Sequence, residues 1–388
     1  MRRTFAALLV IAPLAASGGE FGGSLEARLA TYPSTPLDPQ QQKNAYSLVF
    51  NPEFSHQWET SSLSFSGYSQ LSDDNSGRSH NDIRELEFIT WGEQWELRAG
   101  IGELFWGSTE SRHLVDVVNQ RDGLALEGSK LGQPLVGLTL THDWGNLDLL
   151  LLPGFRKGGF PDSGSRLRPA LPVADALTTY EAEEGDDHID GALHWSASLD
   201  TVDFGLTLFE GTQRQPRLTP QLAGGGPVLI PHYPLLTLYG LDLTWLNEDW
   251  IWKLEAVSRR VEGQTQRALT VGFEVAQYGL FDSSSDLGWL VEYSWDEGGK
   301  SNTLFDNDLM VGLRWSGNDS DSSEAMLGLM IDLENESKLL SLEASRRLTD
   351  DWKIGFSGKA VIDSSEGDPL LYGLRQDSYL EASLSYFF

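Results

Sequence analysis

The segment GELFWGSTESRHLVDVVNQRDG, residues 102–123, is the most distinctive stretch of this chain and the first place to look for chemistry. Ser111, His113 and Asp116 are the residue types of a nucleophilic triad. A triad converges from separate parts of a fold, however, and three neighbours on one segment do not assemble one. Glu110, His113 and Asp116 would share a face if Ser111 to Val118 formed a short helix, but no tight ligand spacing supports zinc. The acidic run EAEEGDD at 181–187 could hold Ca²⁺ loosely, and a solvated loop is the expected state. These residues therefore predict no enzyme, no metal site and no cofactor. What the segment does offer is both signs of charge, at Glu110, Arg112, His113, Asp116, Arg121 and Asp122. They stand among Phe105, Trp106, Leu114, Val115, Val117 and Val118, which need cover from water.

The elements that would position such a segment are strands. In WKIGFSGKAVI, Trp352, Ile354, Phe356, Gly358, Ala360 and Ile362 fall on one face, and Lys353, Gly355, Ser357 and Lys359 on the other. LMVGLRW (309–315), MLGLMIDLE, VDFGLTLF and WELRAGIG repeat the pattern. Counting these segments predicts about 18 strands, centred near residues 27, 51, 66, 86, 99, 140, 150, 193, 206, 240, 255, 272, 291, 311, 329, 342, 357 and 383.

Connections and aromatic residues follow the same rhythm. Short turns are often flanked by Trp, as at HDWGN (142–146), LNEDW (246–250) and LTDDW (348–352), whereas other connections are long, notably 157–187 and 215–231. The chain holds 13 Trp, 11 Tyr and 17 Phe despite a formal charge of −29, and most of them sit at the ends of alternating segments. Long loops at one end, short turns at the other and aromatic girdles mark a membrane-spanning β-barrel. The expected fold class is therefore all-β, a transmembrane antiparallel barrel.

The start of the chain fits export. Arg2 and Arg3 precede an apolar run from Phe5 to Ala16, too short to span a bilayer, so residues 1–17 read as a cleaved signal peptide and 18–388 as a single barrel. Few residues separate Ser17 from the first strand, so no plug domain is expected there. There is no cysteine to form a disulfide. The acidic balance, 57 Asp and Glu against 28 Lys and Arg, excludes nucleic acid as a partner.

The chain closes on SYLEASLSYFF, with Leu380, Ala382, Leu384, Tyr386 and Phe388 on the outer face and Tyr379, Glu381, Ser383 and Ser385 inward. This ending resembles the C-terminal assembly signal of Gram-negative outer-membrane proteins. The stretch WGSTESRHLVDVVNQRD is similar to one in large outer-membrane barrels of the porin and alginate-export-like kinds. The whole layout shares that architecture, in which the third extracellular loop folds inward as a constriction. The resemblance implies passage of solutes across the outer membrane of a Gram-negative bacterium. It also implies outer-membrane lipid, lipopolysaccharide and the outer-membrane assembly machinery as partners, with a homotrimer as one expected assembly.

A barrel of this size leaves an aqueous lumen. Alternation points Glu85, Glu87, Glu96, Asp242, Glu255, Glu274 and Glu292 inward against Arg98 and Arg314, an acidic wall that favours cations or neutral solutes. The alternative expectation is a channel for hydrophobic or amphipathic organic compounds. Apolar pieces at 168–180 and 220–236 favour it, and an outer-membrane hydrolase ranks below both.

Overall fold

A computed structural model describes residues 18–72, 77–126, 128–299 and 303–388; the signal-peptide reading of residues 1–17 lies outside them. The alternating segments become strands. The first are β1 (Glu20–Thr31), β2 (Asn44–Gln57), β3 (Ser61–Ser72), β4 (His80–Trp91), β5 (Trp95–Gly102), β6 (Gln133–His142) and β7 (Gly145–Pro153). The short β8 (Thr179–Tyr180) precedes β9 (Ile189–Leu199) and β10 (Val202–Thr212), which are followed by the hairpin β11 (Arg217–Ala223) and β12 (Gly226–Tyr233). Next come β13 (Leu235–Asn247), β14 (Trp250–Val261), β15 (Gln264–Gln277), β16 (Asp286–Asp296) and β17 (Asn307–Ser316). The chain finishes with β18 (Glu324–Asp332), β19 (Lys338–Arg347), β20 (Trp352–Asp363) and β21 (Tyr379–Phe387).

Eighteen of these strands form one antiparallel sheet, and β1 pairs with both β2 and β21, which closes it into a barrel. All eighteen predicted strand centres fall inside barrel strands. Closure satisfies the backbone hydrogen bonds that a free edge would expose to hydrocarbon. The ending behaves as the alternation predicts: Leu380, Leu384, Tyr386 and Phe388 are exposed on the outer face, while Tyr379 and Glu381 are buried inside. Phe388 exchanges backbone hydrogen bonds with Gly23 at 3.2 Å, and its ring meets Phe21 and Phe50 at 6.1 and 6.3 Å.

β1 begins and β21 finishes at the same end of the barrel, hereafter the turn end. Trp250, Trp252 and Phe273 cluster there on the outer face with centroids 5.0–5.8 Å apart. The opposite, loop end carries the long connections but also one two-residue turn, Glu262–Gly263. Both its residues have positive φ (47° and 79°), as the tight turn between twisted strands requires. At the same end β8, β11 and β12 make a small separate sheet.

Candidate functional site

The third loop-end connection, residues 103–132, crosses to the far wall of the barrel. Its stem is clamped by Asn119, whose side chain accepts from Leu104 N and donates to the carbonyls of Gly102 and Leu131, all at 2.9 Å. Its middle reaches β14, six strands from β5 around the sheet, and β16, eight strands away. Glu255 lies near the middle of β14 and is fully buried beneath the segment. One oxygen of its carboxylate accepts from Ser108 N (2.8 Å), Thr109 N (3.0 Å) and Thr109 Oγ1 (2.7 Å). The other accepts from Leu114 N (2.5 Å) and Val115 N (3.3 Å). Two strands on, Glu292 accepts from Glu110 N (2.8 Å), Ser111 N (2.7 Å) and Ser111 Oγ (2.6 Å). Gly107 is required here: its φ is +97°, and a side chain would strike the Glu255 carboxylate.

These bonds correct one expectation. Residues 111–118 form no helix: the N–H groups of Ser111, Leu114 and Val115 are donated to wall carboxylates, and that of Val117 to Val115 O.

The charged residues of the segment are each paired, most of them with the barrel wall or with other connections. Glu110 pairs with Arg314 at 2.5 Å, and Arg314 also faces Glu274 at 3.7 Å. Arg112 pairs with Asp296 at 2.6 Å and donates to Phe305 O at 3.1 Å. His113 faces Glu255 at 3.7 Å; this carboxylate raises the imidazole's affinity for its proton above the ordinary value, against the opposing effect of burial. Asp116 holds the buried Lys130 at 2.6 Å, with Arg121 farther off at 3.9 Å. Asp122 lies between His80, at 2.8 Å, and Arg84. Burial would push this carboxyl up, but those hydrogen bonds outweigh it and hold the group well below the usual carboxylate range. Ser111, His113 and Asp116 meet three different partners, and no metal-binding group of three residues occurs among the described residues.

The remaining wall residues sort by register. Arg98 faces Glu87 at 3.8 Å and Glu96 at 3.5 Å, and Glu85 accepts from Ser64. Glu274 pairs with Lys253 at 3.4 Å, and Asp242 crowds Gly205 together with His194. His194 sits in the middle of β9, and its ring stacks on Trp106 at 4.8 Å. Arg84 escapes strict alternation, which would send it to the lipid face. A bulge opposite Ser66–Gly67 leaves it without a partner residue and turns it inward, where it is buried. Lys130 and Asn119 were likewise missed, since nothing in their local pattern sets them apart; Asp296 shares the inward face of Glu292 but was not singled out.

The segment fills one side of the lumen. Leu114, Val115 and Val118 pack against inward-facing Leu135, Leu150, Leu152, Phe209, Leu236, Leu238 and Val257. Across β19–β21 the inward face is instead Ser341, Glu343, Ser345, Ser357, Lys359 and Ser383, paired in register. Glu343 and Lys359 there are exposed. On β17 and β18 the same face carries Gly312 opposite Gly328, flanked by Met310 opposite Met330 and Arg314 opposite Met326.

No protein-family model and no curated protein matches the chain. Among solved structures it is similar to Wzi, described as an outer membrane protein involved in group 1 capsule assembly in Escherichia coli and a carbohydrate-binding β-barrel. The TM-score is 0.53 at 10% identity, covering 97% of this chain and 86% of that one. A mutant Rh. blastica porin gives 0.46 at 10% identity, covering 95% and 100% of the two chains. OmpT of Vibrio cholerae gives 0.44 at 8% identity, covering 95% and 97%. The likeness to Wzi is one of fold. A closed barrel with Leu, Val, Phe and Trp exposed all round its outer face requires hydrocarbon around it. The chain is an outer-membrane β-barrel protein.

Proposed function

We propose that the barrel passes small polar solutes across the outer membrane, along the sector of lumen between β18 and β21 that the third connection leaves uncovered. The observation carrying this reading is the contrast between two walls. One is apolar and occupied by the loop; the other is small, hydroxyl-rich and keeps Glu343 and Lys359 exposed. A lining of serines with charges of both signs suits neutral, dipolar or cationic solutes. Polyhydroxylated solutes such as sugars are the first to try. No catalysis is proposed. Lipid and lipopolysaccharide around the outer belt, and the assembly machinery acting on β21, are the partners this reading implies, and a homotrimer is compatible with it.

A second reading has its own observation. The apolar wall under Leu114, Val115 and Val118 is what a carrier of hydrophobic compounds would need, were the ligand to displace the loop. Refolded protein in planar bilayers and in liposomes separates the two. Stable conductance steps together with swelling in sugar solutions support the polar route. Folded protein with neither signal, but saturable binding of an apolar fluorophore that competes with the loop, would replace it with the carrier.

A further inference from the structure

The fourth loop-end connection (residues 154–188) is fastened to the rim next to the uncovered sector. This segment leaves β7 and reaches the rim formed by the β1–β2 and β20–β21 connections, on another part of the barrel. On the way it lies against the third connection so tightly that a side chain on Gly123 would strike Gly159 O. Within it lies a short run, Ser163 to Arg168, tied down at almost every residue.

Arg166 is the centre of the tie. Only 3% of it is exposed, and its guanidinium pairs with Asp377 at 2.6 Å, donates to Gln376 O and lies over the Tyr32 ring at 4.8 Å. Asp377 also accepts from Leu167 N at 2.9 Å. Arg78, from the β3–β4 connection, donates to Ser165 Oγ at 2.8 Å and to Arg166 O at 3.1 Å. Leu167 packs onto Tyr32 and Tyr379, and Tyr379 pairs in register with Lys359 near the loop end of β20. Its φ is +55°, a backbone region costly for a residue with a Cβ, so the run is held in a conformation it would not keep unaided.

We propose that residues 163–168 form a strap that shuts the outer mouth over the solute sector and must lift before a solute passes. The proposal rests on the channel reading above for its purpose, though not for its test. A strap fastened to a separate rim by side-chain and loop contacts, and not by strand pairing, can release without disturbing the barrel's ladder hydrogen bonds.

The chain has no cysteine, so introduced thiols report cleanly. Ser357→Cys places one on the inward wall beneath the strap. Its labelling by a membrane-impermeant maleimide added outside intact cells measures access through the outer mouth. Arg166→Ala and, as a milder change, Asp377→Asn should speed that labelling at least several-fold and raise single-channel open probability. Gln40→Cys with Ser163→Cys, side chains that approach to 3.2 Å, bridged by a short thiol-to-thiol linker, should suppress both. Heat-modifiable gel migration checks that each variant is a folded barrel. Labelling equally fast in the parent, released and bridged proteins would overturn the strap while leaving the channel reading intact. Labelling that follows the strap, with no current or solute flux in any variant, would uphold the strap and refute the channel.

Discussion

Glu255 and Glu292 are buried carboxylates whose partners are mostly backbone N–H groups of a loop, so each side chain works as an anchor for a whole segment. Hydrogen bonds to a charged group contribute about 1.5–3 kcal/mol each in favourable settings. Gln at 255 keeps one acceptor and turns an NH₂ toward donors. Glu255→Gln should therefore loosen residues 107–118 and expose Arg112, read as faster tryptic cleavage after that residue; unchanged protection would mean that apolar packing alone holds the loop. His113 adds a pH dependence to the same anchor. It faces Glu255 on β14 and Asp116 on its own segment, both favouring the imidazolium, while Arg121 opposes it. A histidine held above its ordinary value stabilises the docked loop fully below about pH 6.5 and loses that contribution as pH rises through the raised value. Loop protection should fall across that window, and His113→Gln should flatten the profile.

At the scale of elements, the third connection matters as an occupant of volume. Removing residues 107–122 takes away Leu114, Val115 and Val118 and uncovers the apolar wall they fill. The deletion should raise single-channel conductance, and an unchanged value would mean that the passage never ran beside this loop. The terminal strand is a different case, since its last ring contacts β1 and β2 across the closing seam. Phe388→Ala removes that aromatic contact, worth about 0.5–1.5 kcal/mol beyond buried area. The folded fraction on heat-modifiable gels should drop, with little change in conductance of the molecules that do fold.

For the whole molecule, the acidic total is a poor guide to the lumen. Asp116, Asp122, Glu274 and Asp296 are each matched to a cation, and Glu255 and Glu292 are spent on loop donors. In the uncovered sector Glu343 and Glu381 flank Ser357, two residues from Lys359, while Lys353 pairs with Glu324 at 3.6 Å. Reversal potentials in a KCl gradient should then show at most a mild cation preference. Lys359→Glu should move them further toward K⁺, whereas a strongly cation-selective parent would place the conducting path along a more acidic wall.

The barrel was legible in the sequence because its cause is local. Side-chain alternation has a period of two, and lipid on one side against water on the other writes that period into every strand. The strand centres, the closing role of β21 and the outward Leu384, Tyr386 and Phe388 all follow from it. The site residues were legible only as types. Alternation turned Glu255, Glu292 and Arg314 inward, yet it could not say that backbone N–H groups from 140 to 182 residues away would occupy the two glutamates. Nor could it find Arg84, which a single bulge turns inward, or Arg166, whose partners come from three other connections. A face is decided between neighbours along the chain; a partner is decided by closure of the sheet, which brings distant strands to one lumen and leaves their buried charges to be matched there.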